Sequence, residues 1–168
     1  MPPTLRQAEA SDVVAMFSMW RALIAHEQST WPDGAAYPQI DLDNGDHTMP
    51  WFEGYAQRVA DDNCRIWLAE VNGQPVGYAV AYHWQRVQGE PKFALEVKEM
   101  YVKPEYRRGA KVAKLFEEAI EGWAEAEQVE VIECSCTATD PQTDRWLKKG
   151  FIPYQVTLYR PAKWKVRT

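Results

Sequence analysis

The sequence predicts a single α/β domain, 1–168, with a mixed, mostly antiparallel sheet of six to seven strands and about four flanking helices. Three strand-like segments at 65–71, 76–87 and 93–102 follow one another through short turns, which predicts an antiparallel meander. A run of helical periodicity at 111–126 then lies between two strands, which favours a right-handed β-α-β crossover and parallel pairing. A length of 168 residues is typical of one domain.

The amino-terminal third predicts one strand and two helices. A short strand at 4–8 is followed by Ser11-Asp12, a helix-capping pair, and then by apolar residues at helical spacing. The segment 29–50 is rich in Pro, Gly, Asp and Asn and predicts a long loop, and a second helix follows at 51–61.

The remaining elements follow from local turn and helix signals. Asn72-Gly73 predicts the tight turn between the first two strands of the meander. After 126, the pattern predicts a strand at 129–136, a short helix that stops at Gly150, and a last strand or strand pair at 151–160.

Charge and segment composition restrict the partners. The chain has 24 acidic and 19 basic residues and a net charge of −5, which disfavours nucleic acid and suits a cationic substrate such as an amine. The amino terminus has no apolar leader pattern, and no run approaches the roughly 18 apolar residues that span a membrane. We therefore expect a cytoplasmic protein with no membrane partner.

The three cysteines predict neither a disulfide framework nor a metal site. Cys134 and Cys136 are two apart in a predicted strand, so they share a face and are poorly placed to pair with each other. A Cys-x-Cys pair resembles half of a zinc site, but the chain offers no second pair. We expect reduced strand cysteines.

The segment 99–116 carries the chemistry. It reads as a strand end, a loop with Pro104, two arginines at 107 and 108, Gly109, and the start of a helix. The unpaired N–H groups and the dipole of a helix N-terminus favour anions, which predicts a phosphate site. Gly109 lets the backbone approach a ligand closely, and the arginines add charge-assisted hydrogen bonds.

This order of features resembles the GNAT superfamily of acetyl-CoA-dependent N-acetyltransferases. The motif Val-x-Pro-x-Tyr-Arg-x-Gly begins at Val102, and Trp146-Leu-Lys-Lys-Gly-Phe is similar to a second family signature near the carboxyl end. The resemblance covers nearly the whole chain. It implies a single GNAT-type domain with acetyl-CoA as co-substrate.

The sequence departs from the family pattern at three places. Ala110 and Val112 occupy the small positions of the phosphate loop, with Gly109 and Ala113 one residue away. Trp146 takes the place of a tyrosine that often serves as general acid, and an indole has no proton to titrate. Thr139 takes the place of a frequent asparagine.

The resemblance implies a set of acetyl-CoA contacts. The strand end would bind the pantetheine arm through its backbone, the loop would hold the pyrophosphate, and the later helix region would complete the site, with Trp146 packed against the pantetheine. The implied residues are Met100, Tyr101, Val102, Arg107, Arg108, Gly109, Ala110, Lys111, Val112, Ala113, Thr139, Trp146 and Lys149.

Two carboxylates are candidates for the general base that deprotonates the amine. Glu96 and Glu99 lie three apart in a strand, so we expect them on opposite faces, with only one directed into the cleft. Glu99 is favoured, because family bases often precede the Val-x-Pro element.

The acceptor predicted here is a small-molecule primary amine. Cationic acceptors could be attracted by acidic side chains of the long loop, and aromatic side chains could wall the pocket: Asp41, Asp43 and Asp46; Trp31, Tyr37, Trp51, Tyr82 and Trp84. Two alternatives remain open: a non-catalytic acyl-CoA-binding or regulatory protein on the same fold, and a protein N-acetyltransferase. Family resemblance also allows a homodimer, with Trp164 as a candidate contact.

Overall fold

The computed structural model describes residues 1–30, 48–85, 93–135 and 142–153. Their elements, in chain order, are β1 (Thr4–Gln7), α1 (Val13–Thr30), α2 (Thr48–Ala60), β2 (Cys64–Val71), β3 (Gln74–Gln85), β4 (Phe93–Val102), α3 (Lys111–Ala126), β5 (Val131–Cys134) and α4 (Gln142–Lys148). Short 3₁₀ turns at Ala10–Asp12, Pro104–Tyr106 and Arg108–Ala110 precede α1 and α3.

The described strands form one sheet in the order β1-β2-β3-β4-β5. All neighbouring pairs are antiparallel except β4 and β5, which are parallel and joined through α3. This confirms the predicted α/β class with a mixed, mostly antiparallel sheet. The described residues hold five strands rather than six to seven, and the last predicted strand, 151–160, falls mainly outside them.

The hairpin between β2 and β3 turns at the predicted Asn-Gly pair. Asn72 and Gly73 both have positive φ angles, 54° and 71°. Such angles match the twist of a tight two-residue hairpin, and Asn and Gly tolerate them best.

Each face of the sheet is covered by helices. On one face, α1 and α2 bury a core that includes Met16, Met19, Tyr55, Leu68 and Tyr78. On the other face, the apolar stripe of α3 packs against the sheet and buries Val112, Phe116, Ile120, Trp123 and Ala124. Burial of these two apolar faces is the main source of the fold's stability.

A β-bulge interrupts β4. Glu99 pairs with Val80 and Val97 pairs with Ala81, so Lys98 is an extra residue on β4. Leu95 and Val97 before the bulge and Met100 after it therefore face α3. Glu96 and Glu99 both face the α1/α2 side, and the expectation that they occupy opposite faces is wrong, because the inserted residue shifts the alternation by one.

Candidate active site

The carboxyl-terminal half of β4 has an open edge. Pairing with β5 ends at Val97 and Cys134, whereas β4 continues to Val102. Within the described part of the chain, no strand pairs with residues 98–102 on that side. The Lys103 N–H donates to Val76 O at 2.9 Å, and backbone directions alternate along a strand. The N–H and C=O groups of Met100 and Val102 thus point away from β3, toward the open edge.

Arg107 ties the loop after β4 to this edge. Its Nε donates to the Val102 carbonyl at 2.8 Å, and its guanidinium lies 5.6 Å from the ring centre of Tyr101. The sequence predicted a phosphate contact for Arg107. In the structure its observed contacts fix the loop against the strand end.

The loop reaches α3 through two left-handed residues. Gly109 has a φ of 73° and Ala110 a φ of 53°, a conformation that costs an L-residue such as Ala roughly 1–2 kcal/mol. No described side chain caps α3 at Ala110, and the N–H groups of a first turn have no intrahelical acceptors. Arg108 and Lys111 are exposed beside them. This arrangement fits a pyrophosphate.

Val112 and Ala113, the other predicted phosphate-loop residues, lie in the first turn of α3. Val112 is buried against the sheet and Ala113 is half-buried. The Val112 side chain belongs to the packed face of the helix, so its N–H group, rather than its side chain, would meet a phosphate.

Glu99 lies at the centre of a cluster on the other face of β4. Its carboxylate accepts hydrogen bonds from the Tyr55 hydroxyl, from the Tyr78 hydroxyl at 2.7 Å and from Arg58 Nη1 at 3.1 Å. The Glu99 side chain is 16% exposed. Burial, followed by the negative charge of Glu99, raises the pKa of both tyrosines well above the usual range. Both phenols therefore remain donors at neutral pH.

Sequence reasoning did not identify Tyr55, Arg58 or Tyr78. Tyr55 and Arg58 are three apart on α2, a spacing that places them on one helix face. Tyr78 and Tyr82 are four apart in β3, a spacing that places them on the same face of the sheet. These spacings were visible signals, but they do not indicate that both elements converge on one glutamate.

Glu96, the second predicted base, lies on the same face of β4 as Glu99 and forms an ion pair with Lys98. Lys98 Nζ is 2.6 Å from Glu96 Oε1, and the Glu96 side chain is 22% exposed. The structure therefore brings both predicted carboxylates together, each beside one positive charge.

Both carboxylates line a cavity of about 590 Å³ on the α1/α2 face of the sheet. Tyr82 and Trp84, two of the aromatic residues considered as pocket walls, contribute to the lining of this cavity. Trp51 does not, because it is buried in an aromatic cluster and stacks on Tyr55 at 4.1 Å. The other predicted pocket residues, Trp31, Tyr37, Asp41, Asp43 and Asp46, lie outside the described residues.

The predicted contacts near the carboxyl end have structural partners. Trp146 packs its ring edge-on against Phe151 at 4.9 Å. The Lys149 ammonium forms an ion pair with Glu117 of α3, which joins α4 to the helix that begins at the phosphate loop. Thr139 and Trp164 lie outside the described residues.

The described residues hold no cluster of three His, Cys, Asp or Glu side chains suited to a metal ion. Among them, no helix combines the length and the apolar character needed to cross a bilayer.

An open strand edge leads to the uncapped start of α3, and two carboxylates lie on the adjoining face of the strand; this arrangement suits an acyltransferase. The sequence comparison identifies the family. The family model described as acetyltransferase (GNAT) family matches residues 20–151, and the chain belongs to this family. A search of curated protein sequences finds no significant match.

Solved structures share the fold at low sequence identity. A predicted acetyltransferase from Clostridium acetobutylicum, solved with acetyl-CoA, is 17% identical with a TM-score of 0.72, covering 95% of this chain and 96% of that one. An aminoglycoside N-acetyltransferase in complex with CoA is 13% identical with a TM-score of 0.70, covering 96% and 95%. A ribosomal-protein-alanine N-acetyltransferase from Brucella melitensis is 13% identical with a TM-score of 0.63, covering 96% and 99%.

Proposed function

We propose that this protein transfers the acetyl group of acetyl-CoA to the primary amine of a small-molecule acceptor. The main support for this proposal is that Lys98 and Glu99 belong both to the open edge of β4 and to the lining of the 590 Å³ cavity. An acyl donor bound along the edge and an amine bound in the cavity would therefore meet at one strand.

The residues around the edge fit acetyl-CoA. The backbone groups of Met100 and Val102 that face the edge suit the amides of the pantetheine arm. The N–H groups at the start of α3, with the exposed Arg108 and Lys111, suit the pyrophosphate. Acetyl-CoA supplies an activated thioester. The Met100 N–H is placed to donate to its carbonyl oxygen, an oxyanion-type contribution.

Glu99 is the proposed general base. An amine is protonated at neutral pH and must lose a proton before it can attack. Tyr55, Tyr78 and Arg58 fix the carboxylate while one lone-pair direction remains for the acceptor. Positioned proton transfer contributes about 10²–10⁴-fold. Glu96, on the same face, is the second candidate.

We propose no dedicated general acid. Trp146 cannot donate a titratable proton, and a thiol with a pKa of about 8.5 leaves acceptably as thiolate. The edge-on contact of Trp146 with Phe151 supports a packing role beside the pantetheine arm. Lys149, paired with Glu117, would position α4 beside α3 rather than provide an isolated charge.

Cavity size supports a small-molecule acceptor. Small-molecule sites typically measure about 300–1,000 Å³, and this cavity lies within that range at about 590 Å³. Structural neighbours include enzymes named for aminoglycosides and one named for a ribosomal-protein alanine. Because these acceptors differ in kind, the proposed acceptor class is based on the size of this chain's own cavity.

We also propose a cytoplasmic location and retain the homodimer as a proposal. Burial raises the pKa of the Cys64 thiol to about 11, which keeps it protonated, and in a reducing compartment we expect it to stay a free thiol. Sedimentation equilibrium of the purified protein would measure the oligomeric state.

Thermal unfolding with acetyl-CoA, CoA and ATP tests the donor site. A ligand at 100 times its Kd adds about 2.7 kcal/mol, which predicts a Tm rise of about 5–11 °C at roughly 2–4 °C per kcal/mol. We expect the rise with acetyl-CoA and CoA and none with ATP. No rise at saturating acetyl-CoA would contradict the proposal.

Turnover of amines, followed by thiol release, tests the chemistry. Glu99→Gln should lower kcat by about 10²–10⁴-fold while the Tm rise with acetyl-CoA persists, because the Glu99 side chain points to the cavity face and leaves the backbone of the strand edge unchanged. Glu96→Gln is the matched control, with a smaller expected loss. Acetyl-CoA binding without turnover of any amine would favour the non-catalytic acyl-CoA-binding alternative.

A further inference from the structure

A primary amine of the chain itself lies in the proposed acceptor cavity. The lining of the cavity includes Arg58 and Lys98. A guanidinium keeps its charge in proteins, whereas a lysine ammonium becomes a nucleophilic amine once it loses one proton. Among the described residues that line the cavity, Lys98 is therefore the one that carries the functional group of an amine acceptor.

The Lys98 ammonium already has a carboxylate beside it. Its Nζ lies 2.6 Å from Glu96 Oε1. An ammonium needs a base within hydrogen-bond reach to take its proton before it can attack a carbonyl carbon. The pair of Lys98 and Glu96 thus reproduces, within one chain, the arrangement that the proposed reaction requires of an acceptor and its base.

The position of Lys98 also brings its amine within reach of the proposed thioester site. Lys98 is the first residue of β4 beyond the last pair with β5, Val97 and Cys134, and it has no partner in the ladder with β3. Met100, whose N–H is proposed to polarise the thioester, follows about 6–7 Å further along the strand, at roughly 3.3 Å per residue. The flexible stem of a lysine spans a similar distance. The Lys98 side chain is 48% exposed, which leaves it room to turn from Glu96 to the strand edge.

We propose that Lys98 is a self-acetylation site, to which the protein transfers the acetyl group of its own bound acetyl-CoA. Lys98 Nζ gives one proton to Glu96 and attacks the thioester carbonyl carbon. The new C–N bond forms, the C–S bond breaks, and the second proton of the nitrogen neutralises the departing thiolate. The product is a neutral amide, so Glu96 loses its cation. The inference rests on the proposed acetyl transfer and adds a modification site to it.

The test is a time course of lysine acetylation in the full chain incubated with acetyl-CoA, followed by peptide mass spectrometry. Lys114 of α3 is the internal control, because it is 74% exposed and also has a carboxylate partner, Glu118, at 3.5 Å. Uncatalysed acetylation would favour the more exposed lysine. We expect Lys98 to react at least about tenfold faster than Lys114, because a bound donor makes the step intramolecular.

The kinetics of the reaction distinguish self-acetylation from other routes. The fraction of Lys98 modified per unit time should saturate with acetyl-CoA and should not depend on protein concentration. Equal or slower reaction of Lys98 relative to Lys114 would overturn the proposal. A Lys98 rate proportional to protein concentration would also overturn it, since one molecule would then be acetylating another.

Three variants localise the chemistry. Lys98→Arg keeps the positive charge and should abolish the modification, whereas the matched Lys114→Arg should leave the Lys98 rate unchanged. Glu96→Gln should slow Lys98 acetylation by at least about tenfold, as expected for loss of a positioned base, with no change at Lys114. A Tm rise with acetyl-CoA shows that each variant is folded and binds the donor. An unchanged Lys98 rate in Glu96→Gln would overturn the assignment.

Failure of this inference is distinguishable from failure of the proposed function. Acetylation of added amines without selective acetylation of Lys98 would overturn the modification site and uphold acetyl transfer. Selective acetylation of Lys98 without turnover of any added amine would uphold the modification site and overturn transfer to a small molecule.

Discussion

At the scale of single residues, Glu99 depends on partners that come from distant parts of the chain. Tyr55 and Arg58 belong to α2 and Tyr78 to β3, yet all three donate to one carboxylate. Each donor that holds a carboxylate removes orientational freedom from it, and precise placement of a base is part of its rate contribution. In the proposed reaction the cluster would therefore position the base, in addition to its place in the core.

Tyr78→Phe should separate these two roles. Tyr78 is fully buried, so loss of its hydroxyl leaves Glu99 with one donor fewer in a site that water does not easily reach. We expect the free energy of unfolding to fall by about 1–2 kcal/mol and kcat to fall with KM for acetyl-CoA unchanged. Chemical denaturation and steady-state kinetics measure both, and a rise confined to the KM for acetyl-CoA would contradict the positioning role.

At the scale of secondary-structure elements, the close approach of β3 and β4 depends on Gly77. A Cβ at this position would lie 2.6 Å from the Tyr101 carbonyl oxygen and 3.3 Å from Val102 Cα. Both are backbone atoms, so the strands would have to separate beside the edge of β4 where we propose that the acyl donor binds.

Gly77→Ala should therefore damage stability and donor binding together. Overpacking of this kind costs about 1–3 kcal/mol, and we expect a Tm drop of at least about 2 °C with a raised KM for acetyl-CoA. Gly122→Ala, in the exposed part of α3 with open space around its Cβ, is the matched control and should stabilise by about 0.5–1 kcal/mol. Equal Tm values for the two variants would argue against strand crowding.

A second inter-element contact joins β1, β2 and the start of α1. Arg6 bonds Asp12 at 2.6 Å and Glu70 at 2.8 Å, and the Asp12 carboxylate also accepts the Glu9 N–H at 2.8 Å. The hydrogen bond from Arg6 holds the pKa of Asp12 below its ordinary value. A lowered folded-state pKa stabilises the protein above the unfolded pKa of about 4, and this contribution is lost as the pH falls through the folded value.

Asp12→Asn should remove this pH-dependent contribution. At neutral pH we expect the variant to be less stable by about 1 kcal/mol, since half-exposed ion pairs contribute modestly. As the pH falls below about 4, the unfolded-state pKa, the difference from the wild type should shrink, because the wild-type carboxylate becomes protonated. Urea midpoints across this pH range measure it, and a difference that grows on acidification would refute the assignment.

The positions of helices and strands were predicted more reliably than the face of the sheet to which each side chain points. The predicted bounds of β4 and α3 agree with the structure: α3 carries a continuous buried stripe, and β4 carries an apolar alternation that continues, shifted by one residue, beyond the bulge. The bulge was missed, although Leu95, Val97, Met100 and Val102 are spaced two, three and two residues apart, which marks an inserted residue. The partners of Glu99 were not predictable, because they depend on how α2 packs against β3.

At the scale of the whole molecule, the two substrates would approach β4 from different sides. The proposed donor site comprises the strand edge and the start of α3, whereas the proposed acceptor cavity lies between the sheet, α1 and α2. The two faces have separate buried cores. Changes to one site should therefore leave the affinity of the other largely unaltered.

A double-mutant cycle measures this independence. Arg108→Ala should raise the KM for acetyl-CoA by roughly tenfold, the effect of losing one charge-assisted hydrogen bond. Trp84→Ala should raise the KM for the amine. Their effects on kcat/KM should add within about 0.3–0.5 kcal/mol, as expected for sites without shared partners. A larger interaction energy would show that the sheet couples the two sites.

The bulge at Lys98 also determines to which face of the sheet each later side chain of β4 points. One inserted residue sends Glu99 and Tyr101 to the side of α1 and α2, and Met100 and Val102 to the side of α3. Deleting Lys98 would exchange the two sets, burying a carboxylate against Phe116 and removing it from the cavity. A relative without this insertion would need a gap here in any alignment, since residue-by-residue matching beyond it would assign each side chain to the wrong face.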